Sequence, residues 1–270
     1  MLKKRIATAV VLAPLSLAGV FLLPIQGFAI FLTLVLLLAA YEWGPLSGLQ
    51  SSVGRYGFCG LVLAAVAGLM FFPNSEVDQG VLSLSLALWL VAIFWIVRYP
   101  RPGAWSLSAI RALIGIIFLV ATWVALVGIK REEHGNAWIL LLFLIVWGAD
   151  TGAYFAGKQW GRTKLAPNVS PGKTREGMLG GLVTVALVSL AFAQWNELSI
   201  PSTVYLMILG VVTAVMSVMG DLFESLLKRH SGLKDSGNLL PGHGGILDRI
   251  DSLLAATPFF YLGLLFLPVI

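Results

Sequence analysis

RALIGIIFLVATWVALVGI, residues 111–129, decides how the rest of the chain is read. After Arg111 it runs eighteen residues without a charge. That is about the length that crosses the ~30 Å hydrocarbon core of a bilayer as an α-helix rising about 1.5 Å per residue. Apolar runs of the same kind recur at 6–23, 28–43, 56–72, 81–97, 137–156, 178–195, 204–222 and 250–270. The sequence therefore predicts an all-α, polytopic integral membrane protein of about nine transmembrane helices. Composition agrees, with 58% of the 270 residues hydrophobic and 11% charged, against about 25% charged in a soluble domain. The length would suffice for two soluble domains, but the repeated apolar runs leave no room for one. The single cysteine, Cys59, excludes an internal disulfide and a cysteine-based metal cluster, and reads as a small packing residue. Lys3, Lys4 and Arg5 before an apolar run resemble a signal peptide. No small-x-small cleavage site follows and another apolar run begins almost at once, so a retained helix is expected. Pro24-Ile25-Gln26-Gly27 reads as a tight turn after it.

Basic residues favour the cytoplasmic side. With nine crossings and a cytoplasmic N-terminus, 16 of the 18 Lys and Arg residues fall on that side, and only Lys130 and Arg131 fall outside. The last two cytoplasmic loops, after the sixth and eighth helices, are long, basic and glycine-rich, whereas Arg98, Arg101 and Trp105 suggest an interfacial anchor. The chain thus divides into residues 1–135, five scaffold and lipid-facing helices, and residues 136–270, which carry the candidate chemistry.

Carboxylates at membrane depth cost about 2.5–3.5 kcal/mol on insertion scales and are functional candidates by default. Asp150 lies near the end of the sixth apolar run, Asp221 and Glu224 near the end of the eighth, and Asp248 and Asp251 open the ninth on one helical face. Glu42 reads as an interfacial charge without chemistry, and Glu176 and Asp251 could be early-turn residues favoured by the helix dipole. Converging carboxylates repel unless a cation lies between them, and oxygen ligands point first to Mg²⁺. His134 falls on the outer side and His230 in a basic cluster, which leaves only His243 among glycines and weakens a zinc reading.

Gly172-Lys173-Thr174 has the ending of a P-loop, but Pro167 stands where the first glycine belongs and no strand precedes it, so a Walker A site is excluded. Ser170-Pro171 reads instead as a helix start, whose N-terminus with Lys173 and Arg175 suits an anion. Binding of anionic lipid headgroups explains Lys3, Lys4, Arg5 and Arg55 well. In the last two loops it leaves the interleaved glycines and carboxylates unexplained, and cations beside metal ligands are what a Mg²⁺-bound polyphosphate requires.

The run Ser225-Leu226-Leu227-Lys228-Arg229, then Lys234-Asp235-Ser236-Gly237, then Leu240-Pro241-Gly242-His243-Gly244-Gly245-Ile246-Leu247-Asp248-Arg249-Ile250-Asp251 resembles the signature of phosphatidate cytidylyltransferases, without departure. Gly148-Ala149-Asp150-Thr151, Lys164-Leu165 and Ser170 to Thr174 also resemble this family, while residues before about 136 agree only in hydropathy. The resemblance implies the reaction of CTP with phosphatidic acid to give CDP-diacylglycerol and pyrophosphate. It also implies dependence on Mg²⁺, with K⁺ beside it in some members, at the cytoplasmic face of the inner membrane. Under that reading Asp221 and Asp248 bind Mg²⁺, with Asp150 and Asp251 as further or outer ligands. Lys173, Arg175, Lys228, Arg229 and Arg249 meet the phosphates, Lys164, Ser170 and Lys234 hold one phosphate or the other, and His243 donates a hydrogen bond. The partners are then the two substrates and the bilayer, with no nucleic acid. Gly180-Gly181 would permit close helix packing, within one chain or between two in a homodimer. The rivals are a CTP-dependent lipid or polyprenol kinase, a CDP-alcohol phosphatidyltransferase, whose aspartate frame Asp248-Arg249-Ile250-Asp251 lacks, and a transporter, which would need its carboxylates reachable from both sides.

Overall fold

A computed structural model describes residues 13–240, 242 and 244–267. Lys3, Lys4, Arg5 and His243 lie outside the described residues, as do the start of the first apolar run and the end of the last. Among the described residues nine helices follow in order: α1 (Ala13–Leu22), α2 (Ile25–Leu46), α3 (Ser52–Phe71), α4 (Ser75–Arg98), α5 (Ser108–Arg131), α6 (Gly135–Trp160), α7 (Arg175–Trp195), α8 (Ile200–His230) and α9 (Leu247–Leu264). A 3₁₀ turn, Ala104–Ser106, precedes α5, and an antiparallel hairpin of β1 (Lys164–Ala166) and β2 (Ser170–Thr174) separates α6 from α7.

Seven of these helices, α2 to α8, are long and apolar enough to cross a membrane, so the chain is a helical multi-pass membrane protein. Of the nine expected crossings, seven are met among the described residues. The described part of α1 is only Ala13–Leu22, and a crossing needs about 20 apolar residues. α9 opens with Asp248, Arg249 and Asp251, which leaves too short an uncharged run. The turn expected over residues 24–27 is tighter than the sequence suggested. Pro24 caps α2, its carbonyl accepts the Phe28 N–H at 2.8 Å, and Ile25 is already helical.

α5 is the axis of the bundle: Ile114, Phe118, Leu119, Trp123 and Ile129 are all buried in the core, and α5 touches α2, α3, α4, α6 and α9. Trp89 of α4 stacks on Phe118 with centroids 3.9 Å apart and planes 4° from parallel, and Phe223 of α8 meets both rings edge-on at 5.8 and 5.9 Å. Such contacts add about 0.5–1.5 kcal/mol each beyond the area they bury. Here they join helices from both halves of the chain.

α6 and α7 approach almost to backbone contact. A Cβ at Gly181 would stand 2.6 Å from the Ala149 carbonyl oxygen, and one at Gly180 would stand 2.2 Å from the Ala156 Cβ. Both glycines, open in the sequence to packing within one chain or between two, are used inside this chain. Gly181→Ala is therefore expected to cost about 1–3 kcal/mol through overpacking, read as a lowered unfolding midpoint in detergent. Gly68→Ala, where the new Cβ meets nothing within 4 Å, should stay within about 0.5 kcal/mol of the parent.

Candidate functional site

Two departures from the expected loops build the site. α8 runs to His230, eight residues past the expected end at Leu222, because Leu226 and Leu227 remain fully buried and Lys228, Arg229 and His230 suit the negative end of the helix dipole. Glu224 and Lys228 consequently sit one turn apart on a helix rather than in a loop. The expected helix start at Ser170-Pro171 is overturned as well. Those residues belong to β2, where Lys164 pairs with Thr174 and Ala166 with Ser170 across the hairpin, with a register shift between the two pairs. The cap of α7 is Thr174, whose Oγ1 accepts the Gly177 N–H at 3.1 Å. Glu176 reaches back to accept the Arg162 and Thr163 N–H groups at 3.1 Å, and the Arg175 N–H donates to the Thr163 carbonyl at 2.8 Å. At the hairpin's other end the Asn168 side chain donates to the Tyr99 carbonyl and the Arg229 Nε to the Val169 carbonyl, both at 3.4 Å. The hairpin is held at its base and at its tip.

The charged side chains gather at the end of the bundle where α6 and α8 stop and α7 and α9 begin. They form two adjoining groups. In the first, Lys173 Nζ lies 2.7 Å from Asp221 Oδ2, while Ser225 Oγ donates to Asp221 Oδ1 at 3.2 Å. Asp150 stands within electrostatic range of Lys173, Asp221 and Arg249. Asp150 and Lys173 border a cleft of about 370 Å³ between α6, α7, α8 and the hairpin, whose walls include Asp150, Lys158 and Lys173 on the polar side and Tyr154, Met178 and Val218 on the apolar side.

The second group is more deeply buried. Lys228 Nζ donates to Glu224 Oε2 at 2.8 Å and to Asp248 Oδ1 at 2.6 Å. Asp248 Oδ2 accepts the backbone N–H groups of Ser236 and Gly245 at 3.0 and 2.8 Å. Asp251 lies against Glu224 and within range of Asp221, which connects the two groups. Glu42 of α2 completes the second group. It is 3% exposed, and its Oε2 accepts the Leu247 N–H at 2.8 Å.

The expected residues therefore separate by environment. Asp150 and Lys173 line the cleft, with Asp221 paired to Lys173 and Arg249 within electrostatic range of Asp150. Asp248 has one oxygen on Lys228 and the other on the Ser236 and Gly245 N–H groups, contacts that tie the start of α9 to α8 and to the 231–246 segment. Lys228, expected to meet phosphate, is instead a buried counter-ion, its side chain 12% exposed. Arg229 is spent on the hairpin tip. Lys164, Arg175 and Lys234 are exposed and Ser170 half-buried, and none of the four is among the residues lining the cleft. Two residues acquire places that the sequence had not given them. Glu42 is a buried acceptor rather than an interfacial charge, and its signal was a carboxylate beside Trp43 and Gly44 at the end of an apolar run. Lys158, counted only as a topology-setting cation, lines the cleft, one turn after the exposed Tyr154.

Among the described residues no three His, Cys, Asp or Glu side chains are grouped as a complete protein cage for a metal ion. Mg²⁺ does not require one. It is commonly held by one or two carboxylates together with substrate phosphates and waters, and the hard oxygens of Asp150 and Asp221 beside the cleft fit that mode.

The chain belongs to the cytidylyltransferase family, whose profile matches residues 3–267. The phosphatidate cytidylyltransferase of Pseudomonas aeruginosa is 42% identical to it over 261 residues, covering 96% of each chain. That of Haemophilus influenzae is 36% identical over 280 residues, covering 96% of this chain and 97% of its own. That of Bacillus subtilis is 42% identical over 154 residues, covering 55% of this chain and 57% of its own.

Placing Lys228 as a buried counter-ion has a measurable consequence. Lys228→Met leaves Glu224 and Asp248 without their shared cation, and breaking a buried pair in this way costs about 3–5 kcal/mol. The substrate-free protein should unfold at a markedly lower temperature. A residue that served only to bind substrate phosphate would leave that midpoint unchanged.

Proposed function

We propose that this protein transfers the cytidylyl group of CTP to phosphatidic acid, releasing pyrophosphate and leaving CDP-diacylglycerol in the membrane. The observation that carries the reading is the cleft itself, in a chain similar over 96% of its length to named phosphatidate cytidylyltransferases. Its polar wall offers Lys158, Lys173, Asp150 and the neighbouring Asp221, and its apolar wall offers Tyr154, Met178 and Val218. A phosphate that remains attached to two acyl chains needs both kinds of wall in one cavity.

The chemistry asks little of a general base. The phosphate monoester of phosphatidic acid has a second pKa of about 6 and is largely dianionic near neutral pH. One of its oxygens forms a bond to the α-phosphorus of CTP as the bond from that phosphorus to the bridging oxygen of the β-phosphate breaks. The principal barrier is repulsion between two polyanions, so the side chains act by neutralising charge and holding the reactants in line. Lys173, paired with Asp221 at the cleft, is placed to meet a phosphate oxygen. Lys158 is placed to hold the lipid phosphate beside Tyr154, and Arg249 to meet the triphosphate. Asp150 and Asp221 would hold Mg²⁺, which supplies charge neutralisation on the nucleotide phosphates. Asp248, Asp251 and Glu224 keep the floor of the site in place around Lys228.

The site end of the bundle faces the cytoplasm in this reading, where CTP is found, and the N-terminus lies on the same side of the bacterial inner membrane. The separation of the basic residues supports that orientation.

Purified protein given phosphatidic acid, Mg²⁺ and each nucleoside triphosphate in turn should turn over CTP, or CTP and dCTP, and release pyrophosphate. Release of CDP would mark a kinase instead and would end this reading. Asp221→Asn and Lys173→Met should each lower kcat by about 10²-fold or more, the scale on which a single transition-state charge contact is lost. Lys158→Met should raise KM for phosphatidic acid well above its effect on KM for CTP. An equal effect on both substrates would remove Lys158 from the lipid phosphate.

A further inference from the structure

The first turn of α9 carries Asp248, Arg249 and Asp251, yet this helix does not cap itself. Ile246 occupies the capping position and offers no side-chain acceptor, and Leu247 is fully buried. A helix start closed off from water needs a partner for its free N–H groups. That partner comes from 205 positions away in the sequence: Glu42 Oε2 accepts the Leu247 N–H at 2.8 Å. The carboxylate also lies at the positive end of the α9 dipole.

The surrounding chain is shaped to this side chain. A Cβ at Gly237 would stand 2.1 Å from Glu42 Oε1, and one at Gly245 would stand 2.3 Å from Oε2. Neither contact can be made by a methyl group, so both glycines are needed for the carboxylate to enter. The same segment is tied to Asp248, which accepts the Ser236 and Gly245 N–H groups, and to α2 a second time, through the Ser231 hydroxyl donating to the Leu46 carbonyl at 3.4 Å. Glu42 is not among the residues that line the cleft. Its Oε1 is buried without a hydrogen-bond partner, so only one of its two oxygens is used by the protein.

We propose that Glu42 is a positioning residue for cytidylyl transfer: its accepting oxygen fixes the height and rotation of the first turn of α9, and through that turn the placing of Asp248 on Lys228 and of Arg249 within range of Asp150. The inference rests on the transfer reading of this site. It ties α2 to the site, although no residue of that helix lines the cleft. What the position requires is an oxygen acceptor for the Leu247 N–H, which the amide oxygen of E42Q also supplies.

The test compares E42L, E42Q, G237A and E42A/G237A with the parent in detergent, using phosphatidic acid, CTP and Mg²⁺. E42L, close in size but without an acceptor, should lose about 10- to 100-fold in kcat, as misplacement by an ångström from a distance can cause, while KM for CTP moves little. E42Q retains an accepting oxygen and should recover kcat to within about threefold of the parent, well clear of E42L. G237A should be impaired alone, yet add nothing to E42A, since removal of the carboxylate vacates the space that the methyl needs. A parent-like kcat for E42L, an E42Q as impaired as E42L, or a G237A loss that adds in full to E42A would each overturn the proposal. Hydrogen exchange over residues 244–251 gives a readout independent of turnover. It should speed up in E42L and not in E42Q, and unchanged exchange in E42L would also overturn the proposal. Should E42L not yield folded protein, E42Q and the Gly237 pair decide the matter by the same criteria. Absence of turnover by the parent protein would sink the transfer reading alone, leaving the exchange result to judge Glu42.

Discussion

One ammonium group between two carboxylates organises the end of the bundle where the charges meet. Lys228 holds Glu224 and Asp248 in a region closed to water, where an ion left unpaired costs several kcal/mol. The arrangement only works if α8 remains helical as far as Lys228, if α9 begins where Asp248 can meet it, and if the intervening chain folds inward so that Ser236 and Gly245 complete the carboxylate's hydrogen bonds. Each of these features is observed. Asp221 is paired with Lys173, and Asp150, with Lys173 and Arg249 in electrostatic range, stands on the wall of the cleft. The carboxylates around Lys228 are enclosed by the protein, whereas Asp150 borders open space.

The division between a helical scaffold and a chemical half does not survive as a division of packing. α5 belongs by sequence to the first half, yet it forms the core against which α9 rests, and the Trp89, Phe118 and Phe223 rings lock helices from both halves together. Glu42 extends the same connection into the site. A membrane bundle gains little from apolar association, since lipid is as apolar as the helix faces. Its specificity comes from close backbone approaches, as between α6 and α7, and from polar contacts such as that of Glu42 with the start of α9.

Much of this was legible in the sequence. The apolar runs gave the helices and their order, because an uncharged stretch of that length has few other uses. The acids gave the end of the bundle where the site lies, because each stood beside glycine at the end of a run. The contacts were less legible. Lys228 and Lys173 each stand within two residues of an arginine in a basic stretch, and nothing in their neighbours along the chain says that one is buried between two acids and the other borders a cleft. That difference arises from α8 continuing past Leu222, which the i,i+4 pair of Glu224 and Lys228 supports but which hydropathy hides. The hairpin was hidden because Ser170-Pro171 looks like a helix start, and only pairing with residues 164–166 makes it a strand. Glu42 was set aside because its partner lies 205 residues away, beyond any local pattern.

The doubly anchored hairpin carries a consequence for how substrates are received. Its tip rests on Tyr99 and Val169 is gripped by Arg229, while its base is clasped by Glu176, so it is a fixed rim rather than a flap. The entropy of ordering this segment is therefore given up when the chain folds, and a nucleotide arriving at Lys173 meets a preorganised surface. Selectivity at such a rim comes from rejection of ill-fitting shapes at the door, not from a closure that only the right molecule can trigger.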